Sequence, residues 1–188
     1  MNSNPIKNVQ RRCANNKENF ATQKNDYFTA LKDFPIPEIN NESPLRIIYS
    51  AKQAECGSQI AIYKNISFFE AVNRIATDFV FWQGIDKILE ELSWENINSL
   101  SYCLGNENSP KHGDFTIKLG EEELEGEVFF VAPSYFPVKI KKTLEKWKNQ
   151  NLKYILFNSN ACSKETIEKL KEKNKEIYFI PVELSENF

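Results

Sequence analysis

From Ser67 onward the chain carries two hydrophobic periods in succession. Phe68, Val72, Ile75, Phe79 and Trp82 recur at helical spacing, and Ile85, Ile88, Leu89 and Leu92 continue the stripe. Ser67 and Glu70 form an S-x-x-E capping box at its start, so the sequence predicts one long apolar helix there, with Gly84 as a point where it can kink or divide. A short strand is expected near Leu100–Leu104, followed by the polar loop GNENSPKHG. The stretch His112 to Ala132 then alternates with period two on both sides of Gly120-Glu121, which is the signature of a hairpin closed by a two-residue loop. Beyond it the pattern predicts a helix over Pro137 to Asn149, with Ile140, Leu144 and Trp147 on one face. A buried strand over Lys153–Asn158, a helix over Lys164–Asn174 and a strand over Glu176–Val182 complete the chain.

This order is helix, three strands, helix, strand, helix, strand. Strands joined through helices run parallel, whereas the hairpin is antiparallel, so the expected fold class is α/β, a mixed sheet flanked by helices. The first part of the chain is less patterned. Residues 1 to about 44 are polar and rich in Asn and Lys; a helix is expected from about Asn8 to Lys32, broken by Phe34-Pro35-Ile36-Pro37. Leu45–Ser50 and Gln59–Tyr63 read as short β-like runs. The expected organisation is thus an N-terminal arm with short strands over 1–60, packed on an α/β core over 61–188.

Composition narrows the chemistry. With 188 residues, 41% of them apolar and 13% aromatic, the chain can bury a substantial core. A net charge of −2 provides no global basic field, so a nucleic-acid partner would have to be met by a local patch. No run approaches the roughly 18 apolar residues of a membrane span, and the N-terminus lacks a signal-like apolar stretch, so the expectation is a cytoplasmic protein with no membrane partner. Cys13, Cys56, Cys103 and Cys162 are scattered too widely for a zinc knuckle and read as free thiols. His112 is the sole histidine and no nucleophile motif lies near it, which argues against acyl-transfer chemistry.

The hairpin carries the candidate chemistry. With Gly120-Glu121 as the loop, the facing pairs are Leu119–Glu122, Lys118–Glu123, Ile117–Leu124, Thr116–Glu125, Phe115–Gly126 and Asp114–Glu127. Phe115, Ile117, Leu124 and Val128 then share one face, and Asp114, Thr116, Glu125 and Glu127 the other. Opposed carboxylates that close destabilise a sheet, and a divalent cation between them reverses the penalty. The opposing reading is a merely solvated polar face, since Glu121, Glu122, Glu123 and Glu125 already make the turn acidic.

The order helix–three strands–helix–strand, with one acid beginning the second strand and another in the third, resembles the PD-(D/E)XK nuclease superfamily, which includes type II restriction endonucleases. The resemblance spans roughly Ser67 to Val182. It implies a restriction-endonuclease-like core in which Asp114 and Glu127 hold Mg²⁺ (or Mn²⁺ in its place) together with the Val128 carbonyl. The family's usual lysine, two residues after the second acid, is replaced here by Phe129. Lys139 or Lys142 from the next helix can fill that role, and Lys139, which borders the apolar face, suits it better. Alternatively Glu125 is the second acid and Glu127 takes the lysine slot, or the lysine was lost with catalysis. The implied activity is a Mg²⁺-dependent endonuclease acting on double-stranded DNA as a homodimer. The alternative is a non-catalytic immunity or regulatory protein on the same fold.

Other polar residues have simpler explanations. Glu70 is explained by its capping box, and Asp78 by an ion pair with Arg74 one turn earlier. The lysines of the two C-terminal helices, and Arg11, Arg12 and Lys17 of the arm, can meet a phosphate backbone but equally suit solvated faces.

Overall fold

The computed structural model describes residues 11–36, 43–53, 55–58, 60–105, 107, 111–148 and 150–184. Its centre is a six-stranded sheet whose strands lie in chain order: β1 (Arg12–Ala14), β2 (Ser99–Tyr102), β3 (Phe115–Leu119), β4 (Glu122–Phe129), β5 (Leu152–Asn158) and β6 (Tyr178–Val182). Neighbours from β1 to β4 pair antiparallel, whereas β4, β5 and β6 run parallel. Five α-helices accompany the sheet among the described residues: α1 (Lys17–Leu31), α2 (Pro44–Gln53), α3 (Phe68–Leu92), α4 (Phe136–Lys146) and α5 (Lys164–Lys173). The protein is therefore α/β with a mixed open sheet.

Helix α3 starts as its sequence requires, with the Ser67 hydroxyl accepting the Glu70 N–H at 3.2 Å, and it runs unbroken to Leu92. Gly84 does not divide it. A Cβ there would stand 2.8 Å from Val182 and 2.9 Å from Leu156, so the glycine lets the helix lie close against β5 and β6. Phe81, Trp82, Ile85, Ile88 and Leu89 of α3 and Phe20 and Tyr27 of α1 cover one sheet face, formed by Leu100, Tyr102, Phe115, Ile117, Leu124, Val128, Tyr154, Leu156 and Val182. The opposite face of β4 to β6 packs Phe129, Ile155, Phe157 and Phe179 against Phe136, Ile140 and Trp147 of the α4 segment and Ile167 of α5.

The N-terminal third departs from expectation. Residues 12–14 form an edge strand of the main sheet, and α1 begins only at Lys17, where the Asn16 side chain caps it by accepting the Asn19 N–H at 2.8 Å. Residues 1–10, where the helix was expected to begin, lie outside the described residues. The β-like run Leu45–Ser50 is part of helix α2, and Ala61–Tyr63 is a single 3-10 turn. In α2, Leu45, Ile48 and Tyr49 recur at helical spacing, and the segment pairs with no strand; alternation over a few residues could not separate the two periods. From this N-terminal part, Ala14, Phe20 and Tyr27 pack into the main core.

Candidate functional site

The hairpin has the register its sequence implies. Leu119 faces Glu122, the pairing runs without interruption to Phe115–Gly126, and Gly120 closes the loop with φ +59°, a conformation open to glycine at no steric cost. The register shift near Gly126 lies in the pairing of β4 with β5, where Glu125 faces Leu152 and Gly126 faces Tyr154. It leaves the β3–β4 register intact.

At Phe115 the ladder stops. Gly113 packs on the backbone of Gly126, leaving a Cβ only 2.3 Å from the Gly126 oxygen, and the Phe115 ring occupies the space where a Gly126 side chain would stand. Past this point β4 keeps β5 on one side but has no strand on the other, and on that free edge its Val128 N–H is met by the Asp114 carboxylate, whose Oδ2 accepts it at 2.8 Å. The Asp114 backbone oxygen accepts from Cys103 N at 2.9 Å. Asp114 therefore sits in the fork where β3 separates from β4.

Its environment is strained electrostatically. The Asp114 carboxyl is pushed up to about 6, first by burial and then by the Glu127 carboxylate; the Val128 N–H and the amines of Lys139 and Lys146 oppose the rise. Glu127 is buried, and its Oε1 accepts from the Trp147 indole N–H at 2.7 Å and from the Lys146 ammonium. Among the described residues no hydrogen bond reaches its Oε2 or the Oδ1 of Asp114. The Lys139 ammonium stands 5.2 Å above the Phe129 ring. Phe129 itself is buried against Phe136 and Phe157, so the position where the resemblance would call for a lysine serves the core. Lys142 lies exposed on α4. Lys146 was not foreseen as a partner of Glu127. It stands seven residues after Lys139, almost the same helical direction two turns on, and that spacing was the available signal.

Glu125 is engaged elsewhere. Its Oε2 accepts from Gly113 N at 2.8 Å and from the Thr116 hydroxyl at 2.9 Å, and its Oε1 lies 2.8 Å from His112 Nδ1. His112, Glu123 and Glu125 bring one ligand atom each within 4.8 Å of one another, but both Glu125 oxygens already have protein partners.

Beside Asp114, on the α3 side of the sheet, opens a cavity of about 360 Å³ lined by Arg74, Thr77, Asp78, Glu107, Asp114 and Val128 among others. The expected Arg74–Asp78 pair does not form. Arg74 binds Glu70 at 2.8 Å and the Gly105 carbonyl at 2.6 Å. Asp78 accepts the Tyr63 hydroxyl and the Gly105 N–H instead, and burial above all pushes its carboxyl up to about 7. The Tyr63 hydroxyl also meets that of Tyr27 at 2.7 Å, so Asp78 ties α1, the Ala61–Tyr63 turn and the loop after β2 to α3.

Several of the remaining basic residues are committed. Arg12 pairs with Glu107 at 3.0 Å, Lys169 with Glu165 at 2.6 Å and Lys171 with Glu168 at 2.9 Å, while Arg11 binds backbone and Thr116. Residues 106 and 108–110 of the GNENSPKHG loop lie outside the described residues. All four cysteines are free, and among the described residues no helix is long and apolar enough to cross a membrane. No family model, curated protein or solved structure matches this chain.

Proposed function

We propose that the chain is a PD-(D/E)XK-type nuclease, a Mg²⁺-dependent endonuclease that hydrolyses phosphodiester bonds of double-stranded DNA in the manner of a type II restriction enzyme. The observation that carries this reading is the meeting of Asp114 and Glu127 with the amines of Lys139 and Lys146 at the fork between β3 and β4. Two carboxylates that repel each other while desolvated are disfavoured in a fold unless a cation or proton relieves them.

The donor set suits Mg²⁺. Asp114 Oδ1, Glu127 Oε2 and the Val128 carbonyl are all hard oxygen ligands, and the two carboxylate oxygens have no protein donor among the described residues. Bound there, the ion would lower the pKa of a coordinated water and neutralise charge on the scissile phosphate. The chain's own contributions are distinct. Val128 N–H orients the Asp114 carboxylate, and Trp147 and Lys146 hold Glu127 by one oxygen and leave the other free. Lys139, half-buried near Asp114, offers a positive charge to a phosphate oxygen in the role the family assigns to its missing lysine. Each subunit carries one such site, so cutting both strands of a symmetric sequence calls for a homodimer. The proposed setting is the cytoplasm.

Cleavage of plasmid DNA with Mg²⁺ or Mn²⁺ tests this directly. Wild type should cut and Asp114→Ala should not; equal cutting by the two, or none by wild type across metals and pH, refutes the assignment. A second reading has its own support. Phe129 is core, Lys146 already neutralises Glu127, and the net charge is −2, all compatible with a non-catalytic immunity or regulatory protein on this fold. Calorimetry with no Mg²⁺ or Mn²⁺ binding, and no DNA affinity at low salt, would select that reading.

A further inference from the structure

Gly113 is held by both of its backbone polar groups, and in each case by a side chain. Its carbonyl accepts from Arg11 Nη1 at 2.9 Å, and its N–H donates to Glu125 Oε2 at 2.8 Å. The two side chains are linked through one hydroxyl: Arg11 Nη2 donates to Thr116 Oγ1 at 3.0 Å, and Thr116 Oγ1 donates to Glu125 Oε2 at 2.9 Å. Arg11 also binds the Ser101 carbonyl at 3.0 Å, which anchors the arm to β2. Residues in a strand ladder satisfy these groups from the neighbouring strand. Gly113 lies beyond the last ladder pair, Phe115–Gly126, and its groups pass to Arg11 and Glu125 instead.

We infer that Arg11 and Glu125 are positioning residues: by clamping Gly113 they fix the path of the chain out of β3, and through it the direction in which Asp114 presents its carboxylate to Val128. This gives Glu125 a role other than metal ligand and gives the N-terminal arm a part in the site. Three features support it. Gly113 fits against Gly126 without room for a Cβ, which would stand 2.3 Å from the Gly126 oxygen, so the two backbones are in close contact there. The clamp reaches Gly113 from two directions, from the arm and from β4. Finally, Asp114 follows Gly113 immediately, with its own carboxylate bonded to Val128 N only 2.8 Å away. The catalytic consequence rests on the nuclease reading; the geometric one does not.

Hydrogen exchange at the Val128 amide reads the geometric part in the protein without metal or DNA, with Asp114→Ala as the benchmark for full loss of its acceptor. In Arg11→Met the Val128 amide should exchange about tenfold faster or more, the scale of one hydrogen bond, while the amides of Ile117 and Leu124 keep their protection. Arg11→Lys, which retains a donor for the Gly113 carbonyl, should recover part of it. Thr116→Val, which removes the bridging hydroxyl at nearly constant shape, should act in the same direction and serves if Arg11→Met does not fold. Unchanged Val128 exchange in a folded Arg11→Met or Thr116→Val protein overturns the inference. Plasmid cleavage adds the catalytic arm: kcat should fall at least about tenfold in Arg11→Met with KM for DNA little altered, and Arg11→Lys should rescue it in part. A wild type that cuts nothing sinks the nuclease reading alone, because the exchange experiment still decides the clamp.

Discussion

Replacing Asp114 by Asn should make the metal-free protein more stable at neutral pH. The substitution keeps the shape and an oxygen for the Val128 N–H but removes a charge that burial and Glu127 both oppose. In the folded chain the carboxyl holds its proton up to about 6, against an ordinary 3.8 in the unfolded chain. Between those limits the folded state binds more protons than the unfolded one, so wild-type stability falls as pH rises through the window. The rise is roughly two pH units, or about 3 kcal/mol at ~1.4 kcal/mol per unit. Asp114 is partly exposed and shares its titration with Glu127, so about 1–2 kcal/mol is the realistic gain for Asp114→Asn above pH 7.

Urea denaturation of both proteins from pH 4 to pH 8 measures it. The gap between them should open across about pH 4 to 6 and remain constant above. Saturating Mg²⁺ should then reverse the ranking, since a ligand at ~100 times its dissociation constant adds about 2.7 kcal/mol to the form that binds it, and Asp114→Asn lacks the site. A variant less stable than wild type at pH 8, or a gap that does not narrow toward pH 4, would refute the strain assigned to Asp114. A gap that behaves as described with no Mg²⁺ effect would leave the strain in place and remove the metal.

Tyr63→Phe removes the hydroxyl donor to buried Asp78 and should cost about 1–3 kcal/mol in thermal denaturation. Asp78→Asn addresses the same centre through pH: the Asp78 carboxyl, raised to about 7, disfavours the folded state increasingly from about pH 4 to 7, so stability of the variant relative to wild type should rise across that window. Gly126→Ala sets a methyl 2.1 Å from the Phe115 ring and should cost at least about 1–3 kcal/mol, part of it recovered by adding Phe115→Leu in a double-mutant cycle. Lys146→Met leaves buried Glu127 with the Trp147 N–H alone; because Lys146 is half-exposed the cost should be about 1–2 kcal/mol, with altered Trp147 fluorescence, whereas Lys142→Ala should stay within about 0.5 kcal/mol of wild type.

The elements after Ser67 were legible because each writes its period over enough residues to exclude the other. The hairpin was legible for a stronger reason: Gly120-Glu121 fixes the register, and a one-residue slip would move Phe115, Ile117 and Leu124 out of the core. Before Ser67 the same reasoning failed. Pro44–Gln53 spans only ten residues and fully buries no side chain; its Leu45, Ile48 and Tyr49 recur at helical spacing but remain partly or largely exposed, and over so short a run that spacing is not separable from alternation. Arg12–Ala14 is too short to show alternation, and what makes it a strand is the waiting edge of β2.

In the site, sequence reasoning brought Asp114 opposite Glu127 but could not distribute the charges around them. Arg74 stands one turn before Asp78, and helical spacing alone predicts that they pair; Glu70, one turn earlier still, takes the guanidinium, and the Gly105 carbonyl holds it. Glu125 and Glu127 both lie on the acidic face of β4, equivalent by parity, and only the third dimension separates them. Glu125 meets the strand ends at His112, Gly113 and Thr116, whereas Glu127, one pleat further, meets α4 at Lys146 and Trp147. That difference arises where β3 leaves the ladder, because β4 beyond Gly126 has an edge with no strand beside it. A free strand edge within the body of a sheet leaves backbone donors unpaired, and here the Asp114 carboxylate takes one of them. The same fork that costs the sheet its pairing thus gathers two acids and two lysines within electrostatic reach of each other, and the local destabilisation is the physical reason to look for chemistry there.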